Sequence, residues 1–363
     1  MDGFGQGNYR KLIILVLIAV TMLELSINFA RVYPDSSSYM KISQGDTSEG
    51  LESLRRMSMA AIPLTAGLVS GTTGIPLPIA YGIINSALTI AAVVAVFFLS
   101  LKLGLDEEQG FIASLLAATA LPIILYSSSV LVDAGVYFSS VALIYLYFSS
   151  DGFEKSWMKF LAFIAVGFFG LISKQNVGII LAAIFVYSLF KKHCEGAAVK
   201  GWLRSLRISK RTLLACAIPV ALFFVYILLI GLPFQYIITS SAHWSQLLGM
   251  STLGGKVFYF LRSWVTAFGL LPVFALAGFL VLRKTANFGW HALLIVLGAA
   301  ALFAFPVHTG RYTFVLFPSV IIFSTLALTK LFKNRKILYA IVYAHIILIN
   351  VVAVFLTPAN GIG

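Results

Sequence analysis

Acidic residues are scarce in this chain. Its 363 residues hold 13 Asp and Glu against 26 Lys and Arg, and charges of both signs make up only 11%. Cysteine is scarcer still. Cys194 and Cys216 stand alone, which argues against a disulfide framework and against a cysteine-based zinc site. The five histidines (His193, His243, His291, His308 and His345) include no i,i+4 pair, so a fixed histidine metal site is not expected either. No GxGxxG follows a strand pattern, and neither GxxxxGK with Ser or Thr nor HExxH occurs. "MSTLGG" (250–255) has glycines without the strand–helix context of a phosphate loop. No nucleotide-driven engine is visible.

What the chain has in abundance is apolar surface. It is 60% hydrophobic, with a mean hydropathy of +0.97. A soluble domain leaves far more of its surface to polar groups, so lipid must be the solvent. Each spanning segment then has to satisfy its own backbone, which favours helices of about 20 apolar residues. Continuous apolar runs, instead of alternation over about ten residues, argue against a β-barrel. The expected fold is therefore an all-α polytopic membrane protein forming one domain over 1–363. About eleven transmembrane helices are expected, at 12–30, 78–101, 110–127, 131–149, 158–173, 177–190, 212–232, 264–282, 289–307, 312–331 and 337–356.

Lys and Arg set the expected orientation. Arg10 and Lys11, Lys102, Lys155 and Lys159, Arg283 and Lys284, and the 330–336 cluster all fall in alternate loops. The richest, "KKHCEGAAVKGWLRSLRISKR" (191–211), falls in the same set. The positive-inside rule then predicts N-in, C-out. The net charge of +13 is read as attraction to anionic lipid headgroups at that basic loop, and no nucleic-acid partner is expected. The length of the first apolar run, with Glu24 near its end, reads as an uncleaved first helix and not a signal peptide.

Two external loops are long, 31–77 and 233–263, and long ordered loops usually carry function. The first reads as two amphipathic surface helices. "DSSSYMKIS" opens with good N-cap residues, and "EGLESLRRMSM" sets Leu51, Leu54 and Met57 at helical spacing. Asp35 is expected to cap the first of them, its carboxylate held ionised by backbone N–H groups. Glu24, Asn28 and Arg31 fall on one helical face, so Glu24 is expected to pair with one of the other two. Asp133 opens the fourth span after the outer hairpin "SSSV", where it either caps that helix or faces a cavity. Lys174 in "SKQN", Arg311 in "HTGRY", and Arg55 with Arg56 are the outer cations suited to a phosphate.

These segments resemble the GT-C superfamily of membrane glycosyltransferases, in particular its protein O-mannosyltransferase and lipid A aminoarabinose transferase branch. "PDSSSYMKIS" is similar to the frequent D-S-x-x-Y of the first external loop. "LRRMSMAAIPLTAGLVSGTTGIP" resembles the basic residue and proline before the second span. "SSSVLVDAGVYFSSVALIYLYF" resembles the third–fourth hairpin with its outer acid. "SKQNVGIIL" and "HTGRYTFVLFPSVIIFSTLAL" resemble the later lysine and R-Y-x-x-P segments. The chain departs from some branches in having Ser36 where they carry a second acid, and its 363 residues are not expected to leave room for the soluble C-terminal domain of some branches.

The resemblance implies transfer of a sugar from a polyprenyl-phosphate donor to an acceptor hydroxyl on the outer face, with inversion. The acceptor would be a protein, a lipid or a glycan, and in a prokaryote the setting would be the plasma membrane. Asp35 would be the general base. Glu24, Tyr39, Asp133, His308 and Tyr312 would bind sugar or acceptor, and Arg55, Arg56, Lys174 and Arg311 the lipid phosphate. No cofactor is implied with certainty; a divalent cation serves some branches and not others. Three other readings stay open: a secondary transporter, a surface-polysaccharide polymerase or ligase, and a non-catalytic scaffold of the same fold.

Overall fold

The computed structural model describes residues 6–48, 50–150, 153, 156–194, 209–233, 236, 252–282, 288–304 and 310–356. Among the described residues every regular element is helical and no strand occurs. In chain order these are α1 (Gln6–Ser26), α2 (Ser36–Ser43), α3 (Leu51–Met57), α4 (Ala61–Thr73), α5 (Leu77–Lys102), α6 (Glu107–Ala118), α7 (Leu121–Tyr126) and α8 (Asp133–Ser150). There follow α9 (Trp157–Ser173), α10 (Gly178–Cys194), α11 (Lys210–Leu229), α12 (Leu253–Phe268), α13 (Leu271–Val281), α14 (Phe288–Ala304), α15 (Phe317–Leu331) and α16 (Arg335–Leu356). Two 3-10 turns, Gln175–Val177 and Gly310–Val315, precede α10 and α15.

By length and composition, Leu77–Lys102, Lys210–Leu229 and Arg335–Phe355 can each cross a bilayer alone. The pair α12–α13 makes a fourth candidate, bent by 97° at Gly269 and Leu270. Proline explains why several expected spans are shorter. The predicted helix at 110–127 is two helices, because Pro122 has no N–H to donate and its ring clashes with the preceding turn. Pro272 and Pro318 likewise stand at the starts of α13 and α15, where the missing donor costs nothing. The predicted span at 264–282 thus spreads over two helices, and α12 begins inside the segment read as an external loop.

The first loop holds both expected surface helices, α2 and α3, and a third that the sequence reading missed. That third helix, α4, packs on α2, α5 and α9. Its Gly67 lies so close to the end of α2 that a Cβ there would come within 2.3 Å of the Ser43 carbonyl oxygen. At the centre, α8 packs between α5 and α9, with α11 behind α9. Small residues set the α8–α9 distance. A Cβ on Gly135 would meet Ser173 at 2.5 Å, and one on Gly170 would meet Ser139 at 2.7 Å. Such close approach is the usual means of helix association where lipid removes the hydrophobic drive.

The hairpin "SSSV" was expected at the outer surface. Residues 127–132 are instead fully buried and not helical. Buried non-helical backbone has to find partners, and here each neighbour supplies some. Ala30 N–H donates to the Ser128 carbonyl at 2.9 Å, and Val130 N–H to the Arg31 carbonyl at 2.8 Å. The Asn85 amide of α5 donates to the Ser129 and Leu131 carbonyls at 2.7 and 2.9 Å. Ser36 Oγ reaches the Val130 carbonyl at 2.7 Å, and Ser128 Oγ reaches Leu25 at 2.7 Å. One buried joint therefore fixes the start of the first loop and the start of α8. Asp35 sits beside one edge of it and Asp133 at its end.

Candidate active site

Asp35 occupies the N-cap position of α2, but its side chain makes no capping hydrogen bond. The expectation that backbone N–H groups hold the carboxylate is corrected. Its backbone is already helical (φ −70°, ψ −20°), which turns the side chain away from the first turn. The carboxylate lies instead 3.3 Å from Arg56 Nη2 of α3, and the Asp35 side chain is 40% exposed. Arg56 is the hub of this cluster. It donates to Glu52 at 3.0 Å and to the Tyr39 hydroxyl at 3.4 Å, and its guanidinium stands 5.3 Å over the Tyr39 ring. Burial works against its charge, yet Tyr39, Asp35 and Glu52 outweigh burial and raise its pKa above the ordinary arginine value.

Glu52 was not singled out in the sequence, although its spacing carries the signal. In "ESLRR" one acid precedes two arginines at i+3 and i+4, and both positions face it on a helix. Arg55 grips it with both Nε, at 2.8 Å, and Nη2, while Arg56 takes the same carboxylate from the other side. Burial raises the Glu52 pKa, but the two guanidinium groups win and hold it below the usual carboxylate range. Arg56 donates to both Asp35 and Glu52. Two acids on either side of a guanidinium do not converge on a divalent ion, so this cluster does not fit one. Among the described residues no group of three or more His, Cys, Asp or Glu could hold a metal.

Asp133 and Lys174 form a second acid–base pair, at 2.9 Å. Here the carboxylate is fully buried and the lysine side chain only 7% exposed. Asp133 neither serves as a plain cap nor stands open, and Lys174 is held at the end of α9 by Asp133. The close α8–α9 packing through Gly135 and Gly170 brings the two helix ends together. The next residue, Gln175, donates to Ser58 Oγ at 2.8 Å, and Ser58 Oγ donates to the Arg55 carbonyl at 2.6 Å. The Tyr226 hydroxyl of α11 donates to the Met57 carbonyl at 2.6 Å. The end of α3, with its arginines, is thereby tied to the α9–α10 turn and to α11.

Other expected residues fall elsewhere. Asn28 does pair with Arg31, at 2.7 Å, but Glu24 turns away to Asn350 of α16 at 3.3 Å. A helix has two faces to choose from, and α16 offers Glu24 an amide inside the protein. Tyr39 is buried, so it supports Arg56 from below and does not line an open surface. The backbone of Arg311 and Tyr312 lies in the 3-10 turn before α15. Their side chains, and His308 altogether, lie outside the described residues. Asn85 and Gln175 were missed as well.

No family model and no curated protein sequence matches the chain. Solved structures do match its fold. ArnT from Cupriavidus metallidurans bound to undecaprenyl phosphate superposes with a TM-score of 0.63 at 14% identity, over 90% of this chain and 61% of that one. The Archaeoglobus fulgidus oligosaccharyltransferase tethered to an acceptor peptide with the NVT sequon gives 0.57 at 14% identity, over 96% and 54%. The same organism's oligosaccharyltransferase AglB, in complex with an inhibitory peptide and a dolichol-phosphate, gives 0.55 at 13%, over 96% and 55%. The fold implied by the GT-C resemblance is the fold found. The chain spans a little over half of these neighbours' lengths.

Proposed function

We propose that the protein is an integral-membrane glycosyltransferase that moves a sugar from a polyprenyl-phosphate donor to an acceptor hydroxyl. In this reading the chain crosses the bilayer eleven times with its N-terminus inside, and works on the outer face. Asp35 removes the acceptor hydroxyl proton as that oxygen attacks the anomeric carbon. The sugar–phosphate C–O bond breaks, its electron pair leaves with the lipid phosphate, and the anomeric centre inverts. Arg56, with Arg55 beside it and Arg311 as a further cation, stabilises the charge that grows on the leaving phosphate. Lys174 enters through Asp133, as part of the frame that holds α3.

One observation carries this reading: a half-exposed carboxylate, Asp35, touches a guanidinium on the first loop of a fold shared with lipid-phosphate-binding neighbours. Base and leaving-group stabiliser have to lie within the reach of one substrate, on opposite sides of the anomeric carbon, to serve one displacement. The test supplies membranes containing the full chain with a panel of polyprenyl-phosphate sugars and candidate acceptors. Wild-type transfer is expected, and Asp35→Asn is expected to lose about 10²- to 10⁴-fold, the usual contribution of a general base. Near-normal transfer by Asp35→Asn would remove Asp35 from the chemistry. Transport of a sugar lipid without covalent transfer would favour the transporter reading.

A further inference from the structure

The cluster on the first loop is electrically closed. Two acids, Asp35 and Glu52, face two arginines, Arg55 and Arg56, so no net positive charge is left for an anion while both pairs hold. A phosphate that takes the charge of an arginine in this cluster therefore competes for it with an acid. The contacts differ in how easily they yield. Arg55 binds Glu52 through two nitrogens, and such a fork resists opening. Arg56 holds Glu52 at 3.0 Å and Asp35 at 3.3 Å, and Asp35 is the most exposed partner in the group. The Asp35–Arg56 contact is the weakest link, and it joins the two groups that the reaction needs apart.

We propose that Arg56 is shared: its pairing with Asp35 and its pairing with the donor's lipid phosphate are alternatives, so donor binding releases the base. This rests on the glycosyl-transfer reading above. A carboxylate clamped by a guanidinium is a poor base, because the ion pair stabilises the ionised form that must be protonated. Once a phosphate takes Arg56, that stabilisation is withdrawn and Asp35 becomes more basic. The exchange then runs further along the reaction. As Asp35 accepts the acceptor's proton it loses its charge, while the departing phosphate gains charge, and both changes push Arg56 towards the phosphate. Arg56 thus binds the transition state more tightly than the ground state, which is what accelerates a chemical step. The order of events follows, with the donor ahead of acceptor activation. Glu52 is the positioning residue that keeps Arg56 within reach of either partner.

The experiment is a double-mutant cycle on binding. The full chain is placed in nanodiscs of zwitterionic lipid, and its affinity for radiolabelled undecaprenyl phosphate is measured, with inorganic phosphate as a separate competitor. Asp35→Asn is expected to bind the lipid phosphate about fivefold more tightly than wild type, the scale of one half-exposed ion pair. Arg56→Gln is expected to bind it more weakly. In the Arg56→Gln background, Asp35→Asn is expected to lose its effect, since the competition runs through Arg56. Equal tightening in both backgrounds would mean simple charge repulsion by Asp35 and would overturn sharing. Unchanged affinity in Asp35→Asn, or in Arg56→Gln, would overturn it too. Equal competition by inorganic phosphate would shift the ligand from a lipid to free phosphate and overturn the donor-release step. If wild type binds no undecaprenyl phosphate while retaining its fold, the functional reading itself fails.

Discussion

The two acid–base pairs of this protein teach different things. Asp133–Lys174 is buried at 2.9 Å, whereas Asp35–Arg56 is longer, at 3.3 Å, with a carboxylate 40% exposed. Burial decides what each can do. Opening a buried pair strands charge in a low-dielectric interior, which costs about 3–5 kcal/mol when one partner is removed. Opening a half-exposed pair costs at most about 1 kcal/mol, because water replaces the lost contact. A pair of the first kind stays closed through every turnover and serves as a frame. A pair of the second kind can open and close within a catalytic cycle. Burial thus separates the acid proposed as the base from the structural one, although both stand at helix starts beside the same buried joint.

Breaking the buried pair is the largest expected effect. Lys174→Met should take the ammonium partner from the buried Asp133 carboxylate, lowering stability by about 3–5 kcal/mol and sharply reducing the folded yield in membranes. Thermal unfolding of the detergent-solubilised protein measures it. The double variant Lys174→Met, Asp133→Leu should recover a large part of the loss, since it strands no charge. Failure to recover would show that the pair does more than balance itself. Next in size is the joint both acids lean on. Asn85→Leu takes the side-chain donor from the Leu131 carbonyl and leaves the Ser129 carbonyl with the Leu131 N–H, so it costs about 1–3 kcal/mol, the scale of one unsatisfied buried group. Its melting temperature should fall below wild type but stay above that of Lys174→Met. The exposed pair comes third: Asp35→Asn should shift stability by under about 1 kcal/mol, so its loss of transfer would not be a loss of fold.

How much of this was legible in the sequence depends on where each partner lies in the chain. The helical membrane class, the two helices α2 and α3, and the gathering of Asp35 with Arg56 could be reached from local spacing and resemblance. The joint could not. Asn85 reaches carbonyls 44 and 46 residues away, and nothing in "IINSAL" announces them. "SSSV" reads as a polar surface turn because its serines are counted as solvated, while the structure uses them to satisfy buried backbone. Pro122 lies inside the predicted span at 110–127, yet one helix ends before it and another starts at it. Glu24 had near candidates in Asn28 and Arg31, and its actual partner, Asn350, lies on the last helix. Only Glu52 was fully within reach: "ESLRR" carries its i+3 and i+4 partners in plain sight.

Glu52 offers the finest cut of the comparison, since it belongs to the exposed pair's cluster yet is not the acid proposed as the base. Its folded pKa lies below the ordinary carboxylate value of 4.5, because Arg55 and Arg56 outweigh the opposing effect of burial. A depressed carboxylate contributes stability that is fully present above the unfolded pKa. That contribution is lost as pH falls through the folded pKa. Wild type should therefore lose a small increment of stability on acidification below about pH 4.5, and Glu52→Gln should lack that increment while being slightly less stable at neutral pH. The difference between the two proteins should be about 0.2–1 kcal/mol, the range of a partly exposed pair. It should close as the pH drops from 6 to 3, read as the gap between their melting temperatures. A gap that stays constant over that range would mean that Glu52 acts through packing alone. A gap several times larger would place Glu52 with Asp133, among the pairs that never open.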